Sequence, residues 1–301
     1  MSTTQMKQEM NLVKLVERFH SEDACRQYLE NLRWPDGVTC PRCESKSIRN
    51  SYTRNQYDCG SCGYQFSVTS GTILHDTHLP LNKWMMAVYL MIEARKGVSA
   101  LQLKRTLDVA YKTAWYLCHR IRAAMQDAYP FHLKGLVEVD ETFVGGKVRG
   151  MGRAYKGNKA VVVGAVQRGG KIALQVVVGR DRETLHNFIR ENVADETEAI
   201  FTDDWVGYKG IGDYNTRHET VNHSFKEYVR GDVHTNSIEN VWSLFKRSII
   251  GSYHKMSVKH MDAYLDELEW RFNNRENPWL FRDTILRLLT TDSLPYQALT
   301  E

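Results

Sequence analysis

The feature that most constrains the fold is a pair of Cys-x-x-Cys motifs, Cys40 to Cys43 and Cys59 to Cys62, with fifteen residues between them. Two tight turns at this spacing deliver four thiolates in pairs, which is the ligand set of a structural zinc ion. The alternatives are a redox dithiol and disulfide bonds, but a redox motif does not need two copies, and cytosolic chains seldom keep structural disulfides. The spacing therefore predicts a zinc ribbon over residues 34–80, with structural zinc because four thiolates leave no open position.

Length and apolar patterning predict a multidomain α+β protein. A chain of 301 residues exceeds the usual size of one domain, and its composition is that of ordinary globular proteins. We expect a helical lead-in over residues 1–33 before the ribbon, a helical domain over 81–130 and an α/β domain over 135–290. No apolar run approaches the roughly 18 residues of a membrane span, and the N-terminus has no apolar signal region. A cytoplasmic protein without a membrane partner is therefore expected.

The helical segment after the ribbon has the pattern of a helix-turn-helix DNA-binding domain. Ser99 is placed to cap a first helix whose predicted buried face is Leu101, Leu103 and Leu107. A turn at residues 108–109 then leads to a second helix with its apolar residues inward. The opposite face of that helix would expose side chains suited to phosphate and base contacts: Tyr111, Lys112, Thr113, Tyr116 and Arg120. A plain antiparallel helical pair is the alternative.

Basic residues are concentrated locally, although the net charge is only +4. Residues 145–160 hold five basic side chains, Lys147 and Arg149 among them, and no acidic one. A basic, glycine-rich loop of this kind can neutralise DNA phosphates. The alternative is a solvated, flexible surface loop. Lys147 and Arg149 are therefore candidate DNA contacts.

The longest segment combines strand-like and helix-like runs. Three apolar runs rich in β-branched residues, at 136–141, 160–166 and 172–178, predict an antiparallel meander. A helix around 183–193, a strand at 199–203 and a late helix at 237–250 are expected to follow, in addition to a possible strand before the late helix. Three strands followed by alternating helices and strands are what a ribonuclease-H-like α/β domain requires.

Three acidic residues in separate segments stand where they can converge. Asp140 and Asp203 close apolar strands, and Glu239 lies one turn into the late helix. Carboxylate oxygens suit hard cations such as Mg²⁺ or Mn²⁺, and a pair of these ions can perform phosphoryl transfer on a nucleic acid. Glu138 shares a strand face with Asp140 and is the weaker alternative, whereas Glu141 points to the opposite face.

Glu239 also has a structural interpretation. Asn236 and Glu239 match a capping box, in which the Glu239 carboxylate only binds backbone N–H groups. Lys246 lies two turns further along the same helix face, with Trp242 between them. A carboxylate for metal followed by a lysine for DNA phosphate favours the catalytic interpretation.

The ordered set of motifs is more specific than any one of them. The matching stretches include C-P-R-C, C-G-S-C-G-Y-Q-F, V-E-V-D-E-T-F-V-G-G, T-D-D-W-V-G-Y and H-T-N-S-I-E-N-V-W-S-L-F-K-R. Together they resemble bacterial insertion-sequence transposases of the DDE superfamily, in the ISXO-like group with an N-terminal zinc ribbon. The resemblance implies that Asp140, Asp203 and Glu239 are the catalytic residues holding two Mg²⁺ or Mn²⁺ ions, and that Lys246 is the basic residue following the glutamate.

The resemblance also implies a reaction and its partners. Such an enzyme cleaves DNA at the ends of its element and joins the freed 3′-OH to target DNA. Its partners are the terminal inverted repeats and the target DNA, and we expect a homodimer or larger assembly because two ends are joined together. The rival hypotheses are a zinc-ribbon DNA-binding regulator and a nuclease without joining activity.

Overall fold

The computed structural model describes residues 10–51, 54–126, 131–145, 159–212, 216–221 and 233–301. The chain divides into two compact units. Unit 1 contains the residues up to 126 together with 274–301, and unit 2 contains residues 127–273. Within the described ranges, no helix is both long enough and apolar enough to cross a membrane.

Helices occur in both units. In chain order they are α1 (Leu12–Arg18), α2 (Glu22–Arg33), α3 (Leu81–Glu93), α4 (Ala100–Leu107), α5 (Tyr111–Met125), α6 (Arg182–Asn192), α7 (Asn236–Ser248), α8 (Met261–Asn273), α9 (Leu280–Thr290) and α10 (Tyr296–Thr300). Helices α6 to α8 belong to unit 2, and the others belong to unit 1.

Three short strands form a small antiparallel sheet in the ribbon segment of unit 1. Strands β1 (Ile48–Ser51), β2 (Gln56–Cys59) and β3 (Gln65–Phe66) pair in that order. Trp34 packs edge-on against Tyr57 and Phe66, with ring centroids 5.5 and 5.9 Å away. Cys40 and Cys59 belong to the same small buried cluster. Because this core is so small, a bound metal is a natural source of its stability.

The expected helical pair is present in unit 1. The Gln102 N–H donates to Ser99 Oγ at 3.1 Å, which confirms Ser99 as the cap of α4. Asp108 ends α4 in the left-handed conformation, with φ 48°, and α5 starts three residues later. Leu103 and Leu107 are buried as predicted, but Leu101 is 51% exposed. The expectation that Leu101 is buried is therefore wrong. Leu103 and Leu107 are four residues apart and share the buried face, whereas Leu101 lies two residues before Leu103, about half a turn away on the opposite face.

The C-terminal boundary expected at residue 290 also differs from the structure, in which α9 belongs to unit 1. Phe281 of α9 packs against Phe19, and the Ile73 N–H donates to the Leu288 carbonyl at 3.1 Å. The apolar face of α9 completes the N-terminal core, so the α/β unit ends at residue 273.

Unit 2 is built on a five-stranded mixed sheet. Its strands are β4 (Leu136–Val144), β5 (Ala160–Gln167), β6 (Ile172–Val177), β7 (Ala199–Asp203) and β8 (Arg217–Val221), in the spatial order β6-β5-β4-β7-β8. The first three strands form the predicted antiparallel meander. Strands β7 and β8 are parallel, and β7 lies parallel to β4.

Helices cover both faces of this sheet. Val137, Val139 and Val163 face α6 and its Leu185 and Phe188. On the other face, Val162 and Val166 contact the apolar residues of α7 and α8, which include Ile238, Val241, Phe245 and Leu265. Glu138 and Asp140 alternate with the α6-facing Val137 and Val139, and strand alternation therefore turns them toward α7.

Candidate active site on the mixed sheet

Asp140 and Asp203 meet where strands β4 and β7 end their pairing. The last parallel pair is Glu138 with Phe201, and the same register offset puts Asp140 level with Asp203. Carboxylate oxygens of Asp140, Asp203 and Glu141 all lie within 4.8 Å of one another. The structure therefore brings together two of the three acids predicted as catalytic, at the carboxyl end of β7 and at the level where its parallel pairing with β4 ends.

Asp140 is fixed by a tryptophan from α7. Trp242 Nε1 donates to Asp140 Oδ2 at 2.9 Å, and Trp242 is itself only 4% exposed. The cross-strand partner of Asp140 is Gly164. A Cβ at Gly164 would lie 2.6 Å from the indole Cη2 and 2.7 Å from Leu174 Cδ2. A glycine in the middle of β5 thus leaves the space in which the indole reaches Asp140.

The electrostatics of the acidic cluster suit a cation. Burial raises the pKa of Asp140 from 3.8 to about 7, and the nearby carboxylates of Glu141 and Asp203 add to the effect. The donor set consists of carboxylate oxygens, which hard divalent cations such as Mg²⁺ and Mn²⁺ prefer. A divalent cation among these three residues would offset the repulsion that raises the pKa, so the residues present fit such an ion.

Asp203 is oriented by the turn that follows β7. The Trp205 backbone N–H donates to Asp203 Oδ1 at 3.0 Å, closing a short side-chain turn. Trp205 Nε1 in turn donates to the Arg180 carbonyl at 3.0 Å. The carboxylate therefore has a defined direction at the end of its strand.

Glu141 joins the cluster from the opposite side of β4. Its Oε2 accepts a hydrogen bond from the buried Tyr208 hydroxyl at 2.8 Å, and its Oε1 lies 3.1 Å from Arg180 Nη1. Tyr208 packs in the core cluster on the α6 side of the sheet, so Glu141 does point away from α7 as alternation predicts. The approach of Glu141 to Asp140 and Asp203 could not be predicted from the sequence, because alternation gives the face on which a glutamate lies but not how far its side chain reaches.

Glu138 has a structural position rather than a place in the cluster. It is fully buried, and its Oε2 accepts the backbone N–H groups of Ser237 and Ile238 at 2.7 and 3.1 Å. Its Oε1 accepts from Arg168 Nε at 2.7 Å and from Ser237 Oγ at 2.9 Å. Glu138 therefore caps the N-terminus of α7 from a neighbouring strand, where a negative charge is favourable.

The capping box considered for Asn236 and Glu239 does not form in the structure. Helix α7 begins at Asn236, and the residue at its N-cap is Thr235, whose side chain makes no capping hydrogen bond. The acceptor for the first free N–H groups is Glu138, which lies 99 residues earlier in the chain than Ser237. Glu239 is not needed as a cap, and its carboxylate lies 3.5 Å from the Thr235 hydroxyl.

Glu239 and Lys246 line the same open cavity as Asp140 and Glu141. The other residues of this cavity are Thr142, Trp242, Ser243, Arg247 and Ile250. Glu239 is exposed and is not part of the 4.8 Å carboxylate group. The cavity is thus acidic at the strand ends and basic further along α7.

The four cysteines of the ribbon converge as predicted. Their Sγ atoms all lie within 4.8 Å of one another, with Cys40 and Cys62 separated by 3.7 Å and Cys43 and Cys59 by 3.5 Å. Four sulfur donors in one compact group fit a tetrahedral zinc ion.

The residues proposed as DNA contacts on α5 differ in exposure. Lys112 is exposed, with its Nζ 4.2 Å from the Tyr296 ring centroid. The half-buried Tyr116 donates its hydroxyl to the Leu294 carbonyl. Arg120 is only 5% exposed and donates to the His75 carbonyl at 2.7 Å, so the expectation that it is exposed is wrong.

The physical reason is that this helix face is covered by other parts of unit 1. The guanidinium of Arg120 lies over the Trp84 ring, 5.0 Å from its centroid, and reaches the loop before α3. The two remaining candidates, Lys147 and Arg149, lie outside the described residues.

Comparison with known proteins decides the family. The model of the ISXO2-like transposase domain matches residues 132–273, and that of a transposase zinc-ribbon domain matches residues 20–65. A protein in the transposable element ISH50 of Halobacterium salinarum is 33% identical over 279 residues, which cover 85% of this chain and 92% of that protein. The chain belongs to the ISXO2-like transposase family.

A second relative covers part of the transposase. A transposase-like protein of Haemophilus influenzae is 31% identical over 106 residues, covering 35% of this chain and 84% of that protein. The match to the ISXO2-like transposase domain contains the whole carboxylate cluster, and the match to the zinc-ribbon domain contains the four cysteines. The expected family and its N-terminal zinc ribbon are confirmed.

Proposed function

We propose that this transposase cleaves DNA at the ends of its insertion element and joins the freed 3′-OH to target DNA by two-metal phosphoryl transfer. The observation that carries the proposal is the convergence of the Asp140 and Asp203 carboxylates within 4.8 Å, just beyond the last pair of strands β4 and β7. Glu239 and Lys246 on α7 line a shared cavity with Asp140, which adds a third acid and a phosphate-binding cation.

The strand order supports a ribonuclease-H-like fold for the catalytic domain. An antiparallel meander, followed by two strands parallel to its first strand, places that strand at the centre of the sheet. Asp140 is on that central strand and Asp203 is on its neighbour. We propose the same arrangement for the functional domain, preceded by a zinc ribbon and a helix-turn-helix built from α4 and α5.

Each proposed catalytic residue has a separate task. Asp140, directed by the Trp242 N–H, would bind both ions, while Asp203 and Glu239 would each complete the coordination of one. When bound, two Mg²⁺ or Mn²⁺ ions activate the attacking oxygen and stabilise the leaving oxygen. Lys246, one helical turn beyond Trp242, would bind a phosphate of the DNA strand as a point charge.

DNA recognition is assigned to the N-terminal half. The zinc ribbon and the exposed residues of α5, with Lys112 as the strongest candidate, would bind the terminal inverted repeats. Tyr116 and Arg120 would act by supporting that helix, since both are engaged within unit 1. Lys147 and Arg149 are proposed to contact the DNA backbone. Because two ends are joined in one reaction, the working form is a homodimer or larger assembly on DNA.

A strand-transfer assay separates this proposal from its rivals. The substrate is a labelled duplex carrying the inverted repeat that borders the gene, with plasmid target and Mg²⁺. We expect joined products from the wild type and loss of both cleavage and joining in Asp140→Asn, Asp203→Asn and Glu239→Gln. Asp204→Asn is the matched control because Asp204 neighbours Asp203 but lies outside the carboxylate cluster. Nicks without joining would indicate a nuclease, and binding without cleavage would indicate a regulator.

A further inference from the structure

We infer that Glu141 is a further metal-binding carboxylate of the catalytic site, acting beside Asp140 and Asp203. This inference rests on the proposed function, because it assigns a ligand to the divalent cations of that reaction. The position next to Asp140 in the sequence does not by itself indicate a shared site, since neighbouring strand residues face opposite ways.

The geometry brings the Glu141 carboxylate to the cluster despite this alternation. One of its oxygens lies within 4.8 Å of carboxylate oxygens of both Asp140 and Asp203, and Glu141 lines the cavity that contains Glu239. The pairing of β4 with β7 ends at Glu138, so neither Asp140 nor Glu141 is closed in by a parallel partner. Acids from both faces of β4 can therefore approach one cation from two sides.

The contacts of Glu141 hold it in place without saturating it. Among the described residues, Oε1 has Arg180 and Oε2 has the Tyr208 hydroxyl as partner. An ionised carboxylate offers about four lone-pair positions. Two donors therefore orient the group and leave acceptor capacity for a cation.

Glu138 on the same strand shows what a purely structural carboxylate looks like here. Its two oxygens accept four hydrogen bonds, from Arg168, from the Ser237 N–H and hydroxyl, and from the Ile238 N–H. It is fully buried and lies outside the carboxylate cluster. Glu141 differs from it in acceptor capacity, in its place on the cavity wall and in its distance from the two aspartates.

Arg180 sets the charge balance around Glu141. Its guanidinium carbon lies 3.5 Å from the Trp205 ring centroid, and the Trp205 N–H groups bind the Arg180 carbonyl and Asp203. A fixed positive charge 3.1 Å from Glu141 opposes the binding of a second cation nearby. Removal of Arg180 should strengthen metal binding because it removes a repelling charge, and removal of Glu141 should weaken it because it removes both a charge and a ligand.

The experiment measures Mn²⁺ binding to the full-length zinc-loaded protein without DNA, by calorimetry and by the electron paramagnetic resonance signal of free Mn²⁺. We expect Glu141→Gln to weaken binding about tenfold or more, because one charged oxygen ligand is lost. We expect Arg180→Gln to strengthen binding several-fold. Asp204→Asn, which removes one negative charge next to the cluster, is expected to stay within about twofold of the wild type.

A much larger loss of affinity in Glu141→Gln than in Asp204→Asn supports the inference, because both variants remove one negative charge near the cluster but only Glu141→Gln would remove a ligand. Wild-type affinity in a folded Glu141→Gln protein would overturn it. Should that variant not fold, Glu141→Asp keeps the charge with a shorter reach, and unchanged affinity there would also count against direct binding. Asp140→Asn tests the proposed function separately. If this variant binds Mn²⁺ as tightly as the wild type, the proposed two-metal function is contradicted, and not only the role of Glu141.

Discussion

Substitution of Glu138 by glutamine tests how the catalytic helix is anchored. An amide nitrogen at either terminal position would face donors, either Arg168 and the Ser237 hydroxyl or the N–H groups of Ser237 and Ile238. The change therefore places the new amide N–H₂ against other buried donors, where it has no acceptor. It also removes the negative charge paired with Arg168. Removing one partner of a buried charge pair costs about 3–5 kcal/mol, so we expect Glu138→Gln to lower the free energy of unfolding of unit 2 by about that amount.

The loss of stability in Glu138→Gln should be concentrated in β4 and α7. Hydrogen exchange at increasing urea concentrations, followed on peptides from β4 and α7, gives the free energy of opening of each element. The matched control is Glu219→Gln on β8, where the partly exposed pair with Arg217 at 3.2 Å should contribute only about 0–1 kcal/mol. If Glu138→Gln destabilised α7 no more than the control destabilises β8, Glu138 would not be the anchor of this helix.

Three further predictions concern the site and the ribbon. Gly164→Ala should displace the Trp242 indole and lower the free energy of unfolding by about 1–3 kcal/mol, which thermal unfolding measures. Trp242→Phe should keep the packing but weaken Mn²⁺ binding, which calorimetry measures. Because folding raises the pKa of Asp140 from 3.8 to about 7, the contribution of this carboxyl to the stability of the metal-free protein should be fully present below pH 4 and be lost as the pH rises to 7. A pH series of urea titrations should show that slope in the wild type but not in Asp140→Asn, and saturating Mg²⁺ should abolish it. Chelation of zinc, or Cys40→Ser with Cys43→Ser, should unfold only the ribbon and reduce end-DNA binding while Mn²⁺ affinity is unchanged; full retention of end binding would contradict the role given to the ribbon.

The positions of Asp140 and Asp203 could be predicted because local pattern determines them. Each follows an apolar run, and Asp203 ends its strand, whereas Asp140 lies within β4 just past the last pair with β7. The four cysteine ligands could be predicted equally well, because their spacing alone specifies two paired turns. Lys246 lies on the predicted face of α7 for the same reason, because helical periodicity is local.

The features that were missed depend on contacts between distant segments. Glu138 caps a helix 99 residues away, so the local sequence around Asn236 suggested a capping box that does not form. Arg120 has the spacing of an exposed helix residue, but packing against Trp84 and His75 buries it. The boundary at 273 depends on α9 filling a core made of N-terminal residues. Glu141 was assigned its correct face, and only the geometry of the strand ends shows its proximity to the aspartates.

The most direct test of the central claim is anomalous diffraction from crystals of the transposase with its end DNA and Mn²⁺. We expect two manganese peaks about 3.5–4 Å apart, with Asp140 touching both, Asp203 on one and Glu239 on the other. Peaks elsewhere, or an absence of manganese between Asp140 and Asp203 in a complex that cleaves DNA, would contradict it.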